Sequence, residues 1–211
     1  MRKRLLTGFV CGVGLVLLTQ NGIAEVMKQD NEHIRTWNNF AKDILALHER
    51  RIADLEYTKK TGKGGYAQQA DFYIEEKFYV DDRLLSIVQW EKENPELMHS
   101  IEVFIHDDKG RVVRDYTAAY LPTYHNAPTQ TLVSFHRYNG ELHAFRSFDA
   151  SGFRIIERCT GKWRSKDVNL LLDEDEIAEN IGDPQGSMAT AEYNACFTDL
   201  AEEAGKYLNP Q

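Results

Sequence analysis

The change in hydrophobic period near residue 70 constrains the fold more than any other feature of the sequence. Before Thr61 the apolar residues recur at spacings of three and four, whereas from Ala70 onward they alternate with polar residues. The first spacing is typical of an amphipathic helix and the second of a half-buried strand. The chain is therefore expected to place a long helix before a sheet.

Short turns between the alternating segments predict that this sheet is antiparallel. Asn139-Gly140 is a strong two-residue hairpin signal, and Asp107–Gly110 and Asp149–Gly152 each end on the glycine that a slightly longer loop requires. Strands joined by so few residues have to pair antiparallel. Six or seven strands in meander order are predicted within residues 70–159.

Helical patterns flank the strands on both sides. Residues 31–60 contain no proline or glycine and carry an apolar stripe, after which the glycine-rich Lys59–Gly65 is expected to be a flexible loop. Helices are also predicted within 173–208, with Ser187 as the N-cap of the last one. The prediction is one α+β domain over residues 25–211, a six- to seven-stranded antiparallel meander sheet packed against a long N-terminal helix and a C-terminal helix.

Residues 1–24 have the layout of a secretory signal peptide. Three basic residues at 2–4 precede the apolar run Leu5–Leu18, and small residues stand at the last and third-last positions before Glu25. The run is shorter than the roughly 20 residues that span a bilayer. Cleavage is therefore predicted between Ala24 and Glu25. The product would be a soluble exported protein with no integral membrane span, and the lack of an N-glycosylation acceptor favours a bacterial periplasm.

Removal of that segment changes the charge and the cysteine count. The whole chain has 25 Lys+Arg against 33 Asp+Glu and a net charge of -8. The segment holds three basic and no acidic residues, so residues 25–211 carry -11, which argues against nucleic-acid binding. Cys159 and Cys196 are the two cysteines left. In an oxidising compartment they are predicted to form a disulfide.

The Asn139-Gly140 turn also predicts one candidate metal site. With those two residues in the turn, Tyr138 faces Glu141 and His136 faces His143, and the Cβ atoms of facing residues lie about 5 Å apart. Two imidazoles with the Glu141 carboxylate suit zinc or copper. The alternative is that these side chains lie on a solvent-exposed face of the hairpin and bind no metal. The opposite face of this hairpin is the apolar one, with Val133, Phe135, Leu142, Ala144 and Phe148.

Motifs for covalent catalysis are missing from the sequence. Neither Gly-x-Ser-x-Gly nor Ser-x-x-Lys occurs, and no Cys-x-x-Cys is present. The composition favours a soluble periplasmic accessory or binding protein without a cofactor, which works with a protein partner or a small ligand. Two alternatives stay open. The many Phe and Tyr residues on strands could line a curved sheet that carries a small apolar ligand, or the histidine pair could bind zinc or copper.

Overall fold

The computed structural model describes residues 31–53, 55–122 and 124–210. The predicted signal peptide and its cleavage site between Ala24 and Glu25 lie outside these residues. Within the described ranges, no helix is both long and apolar enough to cross a membrane.

Nine antiparallel strands form one sheet in the described part of the chain, and they lie side by side in sequence order. The prediction of an α+β fold with an antiparallel meander is confirmed, whereas the count of six to seven strands is wrong. The strands are β1 Thr58–Tyr66, β2 Gln69–Val80, β3 Arg83–Glu91, β4 Met98–His106, β5 Val112–Ala119, β6 Gln130–Asn139, β7 Leu142–Phe148, β8 Arg154–Trp163 and β9 Lys166–Leu172.

The two additional strands are the outermost ones. β1 covers the segment expected to be a flexible loop, and it pairs with β2 along nearly its whole length. Its glycines permit a close approach, since a Cβ atom on Gly65 would lie 2.1 Å from the carbonyl oxygen of Gln69. β9 follows a tight turn in which Arg164 and Ser165 both have positive φ. Neither residue is glycine, asparagine or aspartate, the types that most often adopt positive φ in a hairpin turn, so the sequence contains no clear signal of this hairpin.

Helix α1 is described over Asn31–Ala53 and ends before residue 60. The predicted last helix is interrupted, because Ser187–Ala189 and Gly205–Leu208 are short 3₁₀ helices on either side of α3 (Ala191–Phe197). Thr190 rather than Ser187 caps α3, its hydroxyl accepting a hydrogen bond from the Tyr193 amide. Before these, α2 (Glu174–Asn180) begins with a capping box at Asp173.

The core lies between the sheet and the helices. Phe40 of α1 packs against Tyr116 of β5, and the apolar face predicted for the β6–β7 hairpin is buried in the same cluster. The Cys159–Cys196 disulfide joins β8 to α3 with a Cα–Cα distance of 6.0 Å, so that prediction is confirmed. The helices occupy one face of the sheet, and polar side chains dominate the central strands of the other.

Candidate functional site

The turn between β6 and β7 is displaced by one residue from the predicted one. Asn139 pairs with Leu142, so Gly140 and Glu141 form the loop, and Gly140 has a φ of +61°. Glycine with positive φ at the first loop position fits a type II′ turn rather than the type I′ turn expected for Asn-Gly. His143 consequently faces Tyr138, and the prediction that the two histidines face each other is wrong.

The two imidazoles nevertheless meet across the hairpin diagonal. Nδ1 of His136 lies 3.0 Å from Nε2 of His143, and on its other side Nε2 of His136 lies 2.5 Å from Oδ2 of Asp115 on β5. Because a carboxylate accepts hydrogen bonds, the Nε2–H group of His136 donates to Asp115, and the direction of the His136–His143 hydrogen bond depends on the tautomers of the two rings. Burial, and secondarily His136, lowers the pKa of His143. The result is a hydrogen-bonded chain from Asp115 to His143.

Glu141 lies apart from this chain. It is exposed in the turn and borders a surface depression with Lys162, Trp163 and Arg164. In the described part of the chain, no group of three or more His, Cys, Asp and Glu side chains is arranged to hold a metal ion. The structure thus brings together two of the three predicted ligands, and both ring nitrogens of His136 already have hydrogen-bonding groups.

A second site lies where α1 ends against the turn-side ends of β2 to β5. It is a groove of about 540 Å³, here called the arginine groove, with Arg50, Arg51, Arg83, Arg114 and His106 along its polar side. Its floor is aliphatic and consists of Leu47, Leu55, Val80, Leu85 and Ile105. The groove lies at one end of the sheet because the β2–β3 and β4–β5 turns of a meander fall at the same end.

The positive charges of the arginine groove lack counter-charges. Among the described residues, no ion pair involves Arg50, Arg51 or Arg114, and Arg83 meets only the exposed Asp81, at 3.6 Å. The Arg51 guanidinium donates to the Phe104 carbonyl at 2.5 Å. Within the described ranges, three of the four arginines therefore have no carboxylate partner, although the chain has a net negative charge.

Two arginines of the groove, Arg51 and Arg114, combine partial burial with incomplete pairing. Both are partly buried, and burial, followed by the charge of Arg114, lowers the pKa of Arg51. Nε of Arg114 is buried without a hydrogen-bond acceptor among the described residues, while its guanidinium stacks over Tyr207 at 4.1 Å. Buried cations are costly unless they are paired. Arg114 therefore has a buried donor without an acceptor among the described residues.

The helix dipole explains the positions of only two of the arginines in the groove. Arg50 and Arg51 lie in the last turn of α1, where a positive charge interacts favourably with the helix dipole. That explanation does not extend to Arg83 and Arg114, which come from β3 and β5. Burial, and then the charges of Arg51 and Arg83, also lowers the pKa of His106.

The sequence gives little sign of this groove. Arg114 belongs to a stretch where basic and aromatic residues alternate, but Arg51 and Arg83 stand in ordinary surface-like contexts. Their proximity depends on the strand register and on the point where α1 ends. Comparisons with protein-family models, with curated proteins and with solved structures found no match for this chain. The chemistry of the groove is therefore the ground for a functional proposal.

Proposed function

We propose that this chain is an exported periplasmic binding protein, without catalytic machinery of its own, that holds an anionic ligand in the arginine groove. The observation that carries the proposal is the partly buried, uncompensated pair Arg51 and Arg114. Export rests on the pattern of residues 1–24, and the disulfide between Cys159 and Cys196 is compatible with it.

A carboxylate or phosphate between the two guanidinium groups would satisfy both of them. Guanidinium presents a fork of donors that matches two oxygens of such an anion, and charge-assisted hydrogen bonds of this kind are the strong ones. The unused Nε of Arg114 would gain an acceptor. The ligand would also relieve the repulsion between the arginines, so binding is expected to stabilise the fold.

The first test is a titration of the oxidised protein with orthophosphate and with propanoate at constant ionic strength, followed by amide chemical shifts. Shifts are expected around Arg51, His106 and Arg114. Arg51→Gln and Arg114→Gln should each weaken binding roughly tenfold or more, the typical contribution of a hydrogen bond to a charged group. Arg158→Gln, at an exposed position on β8, is the matched control and should bind as the parent does.

Two results would contradict the proposal. One is the absence of saturable shifts with either anion. The other is an equal loss in the Arg158 control, since that would indicate general charge screening and not a site. Export is tested separately by expression of the whole chain in a bacterium with a periplasm, where a mature chain beginning at Glu25 is expected by mass spectrometry.

A further inference from the structure

We infer that the ligand of the arginine groove is a single-chain amphiphile, with its anionic head at Arg51 and Arg114 and its alkyl chain on the aliphatic floor. This inference rests on the proposed function and adds the chemical class of the ligand. It follows from the residue types that line the groove and from those that are missing there.

Five aliphatic side chains line the groove beside the arginines. Leu47 and Leu85 form its buried part, with 3% and 7% of their surfaces exposed, and Val80 and Ile105 are half-buried. Leu55 stands at the rim with 45% of its surface exposed. An alkyl chain laid along these side chains would remove apolar surface from water on both partners. A small inorganic anion would leave the whole floor wet.

The lining also argues against other classes of anion. Among the residues given above for the groove the only aromatic ring is the imidazole of His106, and no amide or hydroxyl side chain is present that could hydrogen-bond a sugar. Nucleotides and sugar phosphates need such groups, because their polar atoms otherwise lose hydrogen bonds to water. An alkyl chain needs none. A volume of about 540 Å³ fits a small molecule.

Two of the acidic residues in the turns at this end of the sheet are paired with arginines. Asp81 and Asp107 lie in the β2–β3 and β4–β5 turns, and each is engaged by an arginine, Arg83 and Arg111 respectively. Arg114 extends the positive surface into an adjoining recess of about 370 Å³ that Lys206 and Tyr207 also line. Arg114 and Lys206 add positive charge at the β5 side, where we place the head group.

The test is a chain-length series of straight-chain carboxylates, from propanoate to dodecanoate, measured by calorimetry below the concentration at which they form micelles. Affinity should rise roughly fourfold for each added methylene, the increase expected when a CH₂ group is buried, and should level off once the floor is covered. Arg51→Gln and Arg114→Gln should lower the affinity at every chain length.

A substitution in the aliphatic floor tests the contribution of the alkyl chain to the affinity separately from that of the anionic head group. Leu55→Gln should flatten the chain-length dependence and leave propanoate binding unchanged, and because Leu55 is already exposed the fold should tolerate it. Leu171→Gln is the matched control, at a leucine of β9 that is 60% exposed and outside the groove. Equal melting temperatures of the two variants exclude a folding defect as the cause.

The possible failures are distinguishable. A flat chain-length series with arginine-dependent binding of short anions would overturn the amphiphile and leave the anion-binding function intact. Long chains bound equally well by Arg51→Gln and Arg114→Gln would also overturn it, because the head group would then contribute nothing. Loss of arginine-dependent binding for every anion would remove the proposed function and this inference together.

Discussion

The Arg146 guanidinium contacts the Glu157 carboxylate in the protein interior, where 1% and 0% of their side-chain surfaces are exposed. The Tyr193 hydroxyl donates to the same carboxylate at 2.7 Å, and Arg146 also donates to the Ala201 carbonyl at 2.8 Å. The cluster fastens β7 and β8 to the C-terminal segment, residues 187–210. Here every buried charge has a counter-charge, in contrast to the arginine groove.

Removal of one member of this pair should be strongly destabilising. Glu157→Gln removes the buried carboxylate partner of Arg146 and leaves it only Glu202, at 2.9 Å and 68% exposed, so a loss of about 3–5 kcal/mol in the free energy of unfolding is expected. The double variant Arg146→Met/Glu157→Leu should recover most of that loss, because it removes both charges. Urea unfolding measures both. A double variant no more stable than Glu157→Gln would contradict the explanation.

The surface pair Lys59–Glu76 provides the comparison for that experiment. Its side chains are 45% and 22% exposed. Solvent screens such a pair, so Lys59→Gln should change the free energy of unfolding by less than about 1 kcal/mol.

The disulfide should contribute a comparable amount through the unfolded state. Cys159 and Cys196 are 37 residues apart in sequence, and the entropy of closing a loop of that length corresponds to about 4 kcal/mol. The variant Cys159→Ala/Cys196→Ala is expected to unfold at correspondingly lower urea concentration. Reduction of the parent protein should have a similar effect. Stability unchanged by a reductant would contradict the prediction.

Stability should fall as the solution becomes acidic below the ordinary histidine pKa of 6.5. Burial is the main cause that lowers the pKa of four histidines, His48, His99, His106 and His143. The unfolded chain therefore binds protons at a higher pH than the folded protein does. The contribution of these histidines to the free energy of unfolding is fully present above pH 6.5 and decreases as the pH falls below that value. Each histidine contributes at most about 1.4 kcal/mol per pH unit. Urea unfolding at pH 7.5 and at pH 5.5 measures the difference, and equal stability at both would contradict it.

Binding of an anion in the arginine groove should raise the pKa of one of these four histidines, His106. The charges of Arg51 and Arg83 help to lower the pKa of His106, and Asp107 opposes them. An anion in the arginine groove favours the protonated imidazole, so the pKa of His106 should rise when propanoate binds. Imidazole NMR signals recorded against pH measure the shift. The pKa of His143, outside the groove, should stay constant and serves as the internal control.

The zinc or copper site predicted at His136, His143 and Glu141 remains a prediction. A metal at His136 would have to replace its hydrogen bond to Asp115 or to His143, so we expect purified protein to contain no stoichiometric zinc or copper. Elemental analysis provides the measurement. Stoichiometric metal that is lost in His136→Ala/His143→Ala would contradict this expectation, and loss in Glu141→Gln as well would identify the third ligand.

The fold could be predicted wherever local chemistry determines it. Alternating residues and short turns specify an antiparallel meander, and two cysteines in a chain with a predicted signal peptide indicate a disulfide. The register of the β6–β7 hairpin could not be predicted, because an Asn-Gly pair allows the turn either on Asn139-Gly140 or on Gly140-Glu141. The arginine groove could not be predicted from the sequence for a related reason. Arg51, Arg83 and Arg114 come from three distant segments, and they meet through the register of β2 to β5 and the point where α1 ends.

The position of β1 has a consequence for how copies of this chain behave toward each other. As an outermost strand it has one side without a neighbouring strand in the described sheet, and unpaired strand edges recruit other chains into aggregates. β1 carries lysines at 59, 60 and 63, all exposed. Two such strands brought edge to edge would set these charges against each other. The glycine-rich segment thus pairs with β2 along one edge. Its lysines disfavour pairing with a second copy of β1 along the other edge.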